Sequence, residues 1–248
     1  MGIFKRNKKS SLDTNVPKIV VGKRLGASES YYRLKDNILY YSDNGKNKVF
    51  YCESSVAGEG KSTVVINLAV ALAKSGKKVV LLDLDFRRPK IHRAFNIVNL
   101  EGITEYMLGE CDKSSLIKKT DFGVDVINRG KAAQNASIIF TSNKFKNLIE
   151  ELKAEYDIVL FDCPPVLMVS DYIHIAKLSD AAIFIVRLGV THRSNLKESI
   201  ELLKRNNINV LGTVITYDNM NKFNLKYGRY YSGKYYRYLY NNYLSEND

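Results

Sequence analysis

The sequence predicts a single α/β domain, a parallel sheet covered by helices on both faces, carried between flexible tails. Three observations predict it. Short continuous apolar runs alternate with helical segments, the pattern of strands buried on both faces. A chain of 248 residues with 45% hydrophobic and 26% charged residues can build one sizeable core and is too apolar for wholesale disorder. Both ends differ in composition from the middle. The expected boundaries are a basic arm over 1–27, a domain with an N-terminal helix over 28–216, and a tyrosine-rich tail over 217–248.

In the arm, Lys5, Arg6, Lys8 and Lys9 crowd together without apolar neighbours to order them. The next element, 28–41, reads as a helix because Leu34, Ile38 and Tyr41 recur on one face, with Ser28 as its N-cap. A strand over 48–53 leads into a Gly-rich turn. A helix over 62–74 follows and stops at Gly76, apolar almost all round and therefore buried against the sheet. Further strands are expected at 78–82, 124–127, 158–161, 181–186 and 209–215. Helices are expected at 143–155 and 193–206, the second with Leu196, Ile200 and Leu203 on one face. Tyr31, Tyr32, Tyr40, Tyr41, Tyr106 and Tyr156 fall in these folded segments and read as packing residues.

Composition excludes several classes. No apolar run approaches the roughly 20 residues that a membrane-spanning helix needs. Residues 1–10 lack the apolar stretch of a secretory signal, and Arg6 stands where a myristoylation motif wants Ser or Thr. The three cysteines, Cys52, Cys111 and Cys163, form no C-x-x-C pair and no even framework, which fits a reducing compartment. His92, His174 and His192 do not cluster with them, so a zinc site is not expected. The net charge of +12 points to an anionic partner, which charge alone does not identify.

The chemistry-bearing motif is Ser55-Val56-Ala57-Gly58-Glu59-Gly60-Lys61-Ser62, which fills the eight positions of a phosphate-binding loop with Ser55 in place of the first glycine. A strand precedes it and a helix follows, as the mechanism requires. Gly58 and Gly60 let successive N–H groups converge on one point, where the helix N-terminus adds partial positive charge. Ala57, Gly58, Glu59, Gly60, Lys61, Ser62 and Thr63 are the expected ATP-binding residues. Lys61 would reach the β- and γ-phosphates and Ser62 would ligate Mg²⁺. Two strands end in acids: Asp83-Leu84-Asp85 and Asp162-Cys163-Pro164-Pro165. Ligands of open α/β sheets gather at such carboxyl ends. The fold class narrows to a P-loop NTPase-like sheet.

With these motifs the sequence resembles the bacterial tyrosine kinases, the cytoplasmic kinases of capsule and exopolysaccharide machinery, over about residues 28–243. The family's P-loop form S-x-x-x-G-E-G-K-S-T is matched from Ser54 to Thr63. Its second acidic motif is matched by Asp83-x-Asp85-x-Arg87 followed by Arg88-Pro89. Its third is matched by Asp162-Cys163-Pro164-Pro165, continuing to Val169-Ser170-Asp171. The tyrosine-rich C-terminus is the fourth mark. Val56 stands where ParA/MinD-type switch ATPases, the alternative reading, carry a signature lysine. In the family's N-terminal oligomerisation motif, Glu29, Asn37 and Ile38 match, while Tyr32 and Lys35 replace its arginines. Ala133-Gln134-Asn135-Ala136 replaces a proline-rich stretch, and Thr216 stands where relatives often have Asn near the base.

The resemblance implies ATP-dependent, Mg²⁺-requiring autophosphorylation on tyrosine. By position and by resemblance, Asp83 is the expected proton acceptor, with Lys61, Asp85 and Asp162 completing the catalytic set. Ser62, Asp85 and Asp162 would hold the metal, and Arg87 is expected to be structural. The expected acceptors are Tyr227, Tyr230, Tyr231, Tyr235, Tyr236, Tyr238, Tyr240 and Tyr243, eight tyrosines within 17 residues. Residues 222–248 carry a net charge of +3, and each phosphate adds roughly −1.5 to −2. Phosphorylation would make the tails repel one another, a route to disassembly. The resemblance further implies a ring-shaped homo-oligomer phosphorylating in trans and a separate membrane adaptor as activator. It places the chain in the cytoplasm, at the inner face of the plasma membrane. Stacking of the basic aromatic tail on single-stranded nucleic acid, the rival reading, leaves the P-loop unexplained.

Overall fold

A computed structural model describes residues 16–21, 25–42, 45–133, 135–170 and 172–216. In chain order the elements are α1 (Leu25–Tyr41), β1 (Val49–Ser54), α2 (Lys61–Lys74), β2 (Val79–Asp83), α3 (Ile91–Ala94), α4 (Ile103–Leu108) and α5 (Lys113–Leu116). There follow β3 (Lys118–Lys119), β4 (Val124–Ile127), α6 (Ala136–Thr141), α7 (Asn143–Glu155), β5 (Ile158–Asp162), α8 (Tyr172–Ala176), β6 (Ala181–Arg187), α9 (Arg193–Arg205) and β7 (Val210–Thr216). The strands form one sheet in the order β3-β4-β2-β5-β1-β6-β7. Six of them run parallel; β3 pairs antiparallel with β4 at the edge, a departure from the all-parallel expectation.

Both faces of the sheet are covered, as the continuous apolar strands require. Alternation sorts the side chains. Phe50, Cys52, Val79, Leu81, Ile158 and Leu160 join the core under α1 and α2. Val49, Tyr51, Val80, Leu82, Val159 and Phe161 join the opposite core with Phe145, Leu148 and Leu152 of α7. By the same period, Asp83 and Asp162 point to the α2 face and Glu53 to the other. Leu203 is buried, with Leu196 and Ile200 packed beside it, as their spacing predicts.

α2 is buried along most of its length and ends as expected. Gly76 takes φ +85°, and its N–H donates to the Ala73 carbonyl at 2.9 Å. The Ser28 cap is corrected: α1 begins earlier, and the Ser28 hydroxyl donates instead to the Val20 carbonyl at 3.3 Å. Tyr40 is corrected too. It is 91% exposed, because it falls on the helix face away from α2, whereas Tyr31, Tyr32 and Tyr41 pack on the core.

The expected arm over 1–27 contains a folded piece. Ile19 and Val21 are buried, and buried Asn67 of α2 holds the segment. Its Oδ1 accepts from the Val20 N–H at 2.7 Å, and its Nδ2 donates to the Lys18 carbonyl at 2.8 Å. The rest of the arm to residue 15, Asp171, and the tail with Tyr227, Tyr230, Tyr231, Tyr235, Tyr236, Tyr238, Tyr240 and Tyr243 lie outside the described residues. Among the described residues no helix is long and apolar enough to cross a membrane.

Candidate active site

The site forms where β1, β5 and β2, neighbours in the sheet, reach their carboxyl ends. After β1 the chain turns through Gly58 at φ +88° and Gly60 at φ +99°. Both lie in the left-handed region that side chains disfavour, so the two glycines are a backbone requirement. Gly60 precedes α2 directly, and its carbonyl accepts the Val64 N–H at 2.9 Å. The helix start thus faces the hollow of the loop, a ready anion site. Lys61 is buried at the first position of α2, followed by Ser62 and Thr63.

The loop is fastened from several sides. Glu59 is fully buried; its Oε2 accepts the Val56 N–H at 2.9 Å and its Oε1 accepts the Thr191 hydroxyl. The Arg187 guanidinium donates to the Gly58 carbonyl at 2.5 Å. The Thr216 hydroxyl donates to the Glu59 carbonyl at 2.9 Å. Thr216, which stands where relatives often have Asn near the base, thus bonds the loop from the end of β7, where the tyrosine-rich segment begins. The Val166 N–H after β5 donates to the Ser54 carbonyl at 3.0 Å, joining the loop to the Pro164-Pro165 turn.

Two strand-end acids stand in register, Asp83 beside Asp162. Both are buried. The Oδ2 of Asp83 accepts the N–H groups of Lys90 and Ile91, each at 3.0 Å, while its Oδ1 has no partner among the described residues. Asp162 likewise keeps Oδ1 unpartnered. Burial, and then the charge of Asp162, pushes Asp83 well above the usual carboxylate range. Burial also raises Asp162, against the pull of Lys61 and a hydrogen bond from Ser62. Asp85 is half-buried, accepts the Arg88 N–H at 3.0 Å, and lines the cavity.

That cavity, about 220 Å³, is walled by Ala57, Gly58, Lys61 and Ser62 on one side and by Asp85, Arg87, Arg88 and Lys90 on the other, with Pro164 and Pro165 closing it. Of the residues expected from sequence, the structure brings Lys61, Ser62 and Asp85 onto one surface and sets Asp162 and Asp83 behind it. Arg87, expected to be structural, is exposed and lines the cavity. Mg²⁺ fits the donor set: a hydroxyl, a half-buried carboxylate and a buried carboxylate oxygen left without a partner. Sequence reasoning missed Lys90, Arg187 and Thr191. Arg187 ends β6 and Thr191 lies in the turn just after it, where the rule of strand carboxyl ends could have found them.

A family model described as an AAA domain matches residues 48–211. The tyrosine-protein kinase YwqD of Bacillus subtilis is 31% identical over 228 residues, which is 92% of this chain and 95% of that protein. The tyrosine-protein kinase ptk of Acinetobacter johnsonii is 32% identical over 76% of this chain but only 26% of its own length, so the chain spans about a quarter of that longer relative. The crystal structure of the chimerical protein CapA2B2 superimposes with a TM-score of 0.76 at 30% identity, covering 79% of this chain and 88% of that one. The septum site-determining protein MinD of Pyrococcus horikoshii, complexed with Mg-ADP, shares the fold at a TM-score of 0.58 and 23% identity, over 68% of this chain and 69% of its own. The chain belongs to the bacterial tyrosine-kinase family.

Proposed function

We propose that this member of the family is an ATP-dependent protein-tyrosine autokinase whose acceptors are the tail tyrosines Tyr227 to Tyr243. The observation that carries this reading is the cavity that Lys61 and Ser62 of the phosphate loop line together with Asp85 at the sheet end. Thr216 supports the choice of acceptor, because the root of the tail is hydrogen-bonded to the loop itself.

The loop N–H groups and the start of α2 hold the phosphates, and Lys61 neutralises the charge that builds on the transferred group. Mg²⁺, held by Ser62, Asp85 and Asp162, would supply charge neutralisation at the phosphate oxygens. A tyrosine hydroxyl has a pKa near 10, so it needs a proton acceptor as the new O–P bond forms. We assign that role to Asp83 by its position at the end of β2 beside Asp162 and by the family resemblance. Arg87 and Arg88 at the mouth suit anionic phosphate.

Phosphorylation in trans within a ring, activation by the cytoplasmic piece of a separate membrane adaptor, a cytoplasmic location at the membrane's inner face, and control of capsule or exopolysaccharide export complete the proposal. They rest on the family resemblance. The test is phosphopeptide mapping of the full chain with ATP and Mg²⁺, alone and with an adaptor fragment. Phosphate is expected on peptides from 227–243, and Lys61→Ala should lower its incorporation about 10²- to 10³-fold. A chain ending at residue 221 should still bind and slowly hydrolyse ATP. ATP hydrolysis without any phosphotyrosine, in every arm, would replace the kinase with a nucleotide-switch ATPase of the ParA/MinD type.

A further inference from the structure

A second cavity, about 270 Å³, adjoins the phosphate loop. It shares Gly58, Lys61, Ser62 and Lys90 with the first, but among the described residues no acid lines it. Its additional walls are Gly60, Thr63, Arg187 and, from the N-terminal segment, Val16 and Pro17. The two hollows divide the site by chemistry. The acid-lined half suits the terminal phosphate and its acceptor. The cationic half, lined by Thr63, Lys90 and Arg187, suits the remaining phosphates and leaves room beside them for the nucleoside.

In that second half Val16 and Pro17 are the apolar side chains of the wall. A nucleoside needs such a surface, because small-ligand sites bury ring faces against apolar groups while a few polar groups fix orientation. We propose that Val16 and Pro17 form the outer wall of the nucleoside half, so that the N-terminal segment sets affinity for base and ribose while the loop sets affinity for phosphate. The proposal rests on the kinase reading only in taking a nucleoside triphosphate as the ligand.

The placement of this wall is built into α2. Asn67 is fully buried in an otherwise apolar helix, where an unpaired amide would be costly. Its hydrogen bonds join the segment to the loop helix. The Nδ2 donates to the carbonyl of Thr63, one turn back at the cavity, and to that of Lys18, at 2.8 Å each. The Oδ1 accepts the N–H groups of Val20 at 2.7 Å and Val21 at 3.3 Å. Ile19 and Val21 are buried beside it. The fixed φ of Pro17 limits the freedom of the residue that meets the ligand. The segment is thus tied through Asn67 to Thr63, which lines the same cavity.

The test separates the two halves of the ligand. The full chain and a Val16→Ser/Pro17→Ser variant are titrated with ATP and, separately, with inorganic triphosphate. ATP affinity should fall about tenfold, while inorganic triphosphate affinity should stay within about twofold. Equal losses for both ligands would mean that the segment merely shapes the loop, and no loss for either would mean that it touches nothing; each overturns the proposal. Photolabelling of the unaltered chain with 8-azido-ATP keeps the test independent of the variant's folding. Label is expected on the peptide carrying Val16 and Pro17. Its absence there, with specific labelling elsewhere, overturns the wall. An unaltered chain that binds neither ATP nor triphosphate would remove the kinase reading as well, which distinguishes the two failures.

Discussion

The two ends of the sheet treat their acids in opposite ways. At the amino ends, Asp180 accepts the N–H groups of Lys48 and Val49 at 2.7 and 2.8 Å, and Asp157 accepts that of Lys78 at 2.8 Å. Within β4, Asp125 takes the Tyr156 hydroxyl at 2.7 Å and Lys119 at 2.5 Å. At the carboxyl ends, Glu53, Asp83 and Asp162 are buried, and each leaves one oxygen without a partner among the described residues. Burial raises all three above the usual carboxylate range. Acids that hold the fold find their donors within the chain. Acids kept buried and underbonded are expensive, and such groups collect where a ligand completes them.

The largest effect should come from Asp162→Asn. It removes a carboxylate that keeps one oxygen without a partner among the described residues, so phosphate incorporation should drop at least about a hundredfold, or ~3 kcal/mol of barrier. Its melting temperature should not fall, because an amide relieves the crowding with Asp83. A clear loss of thermal stability would place Asp162 with the fold-holding acids and break the comparison.

Asp180→Ala should do the reverse. Orphaning the N–H groups of Lys48 and Val49 should cost about 2 kcal/mol in chemical denaturation. The rate per folded molecule should be unchanged. A variant as stable as the parent would show that water serves that strand end as well as Asp180 does.

The smallest effect is a slope. Glu53 is pushed from 4.5 to about 8 by burial, against the pull of Lys61. The native state therefore holds a proton that the unfolded chain has released. The associated stability is present below pH 4.5 and is lost as pH rises through about 8. Glu53→Gln should match the parent to within ~0.5 kcal/mol near pH 4 and show a flatter decline between pH 5 and 8. Parallel slopes in urea titrations would mean that Glu53 is charged in the native state.

Much of the site was legible because its requirements are local. A Gly-Glu-Gly-Lys-Ser run between an apolar strand and an apolar helix leaves few other conformations, and the acids at 83 and 162 follow apolar runs without interruption, with Asp85 two residues beyond the first. Less could be read where an element is short. The helices at Ile91–Ala94, Lys113–Leu116 and Tyr172–Ala176 are too brief to show a period. Ser28 offered a cap signal, yet its hydroxyl serves a segment eight residues earlier. Tyr40 had the neighbours of a packing residue but lies on the outward face of its helix, which only the position of α2 decides.

By itself the sequence determined the turn: positive φ at Gly58 and Gly60, the lysine and serine opening a buried helix, and acids at the ends of two strands. Those features need no distant partner, because φ preference and periodicity act over a few residues. Tertiary structure alone decided which acids lose their partners, that Glu59 reaches Thr191 across 132 positions of sequence, and that Asn67 holds Lys18, Val20 and Val21 against the loop helix. Desolvation and long-range hydrogen bonding depend on what packs around a group, and that surrounding exists only once the sheet has assembled.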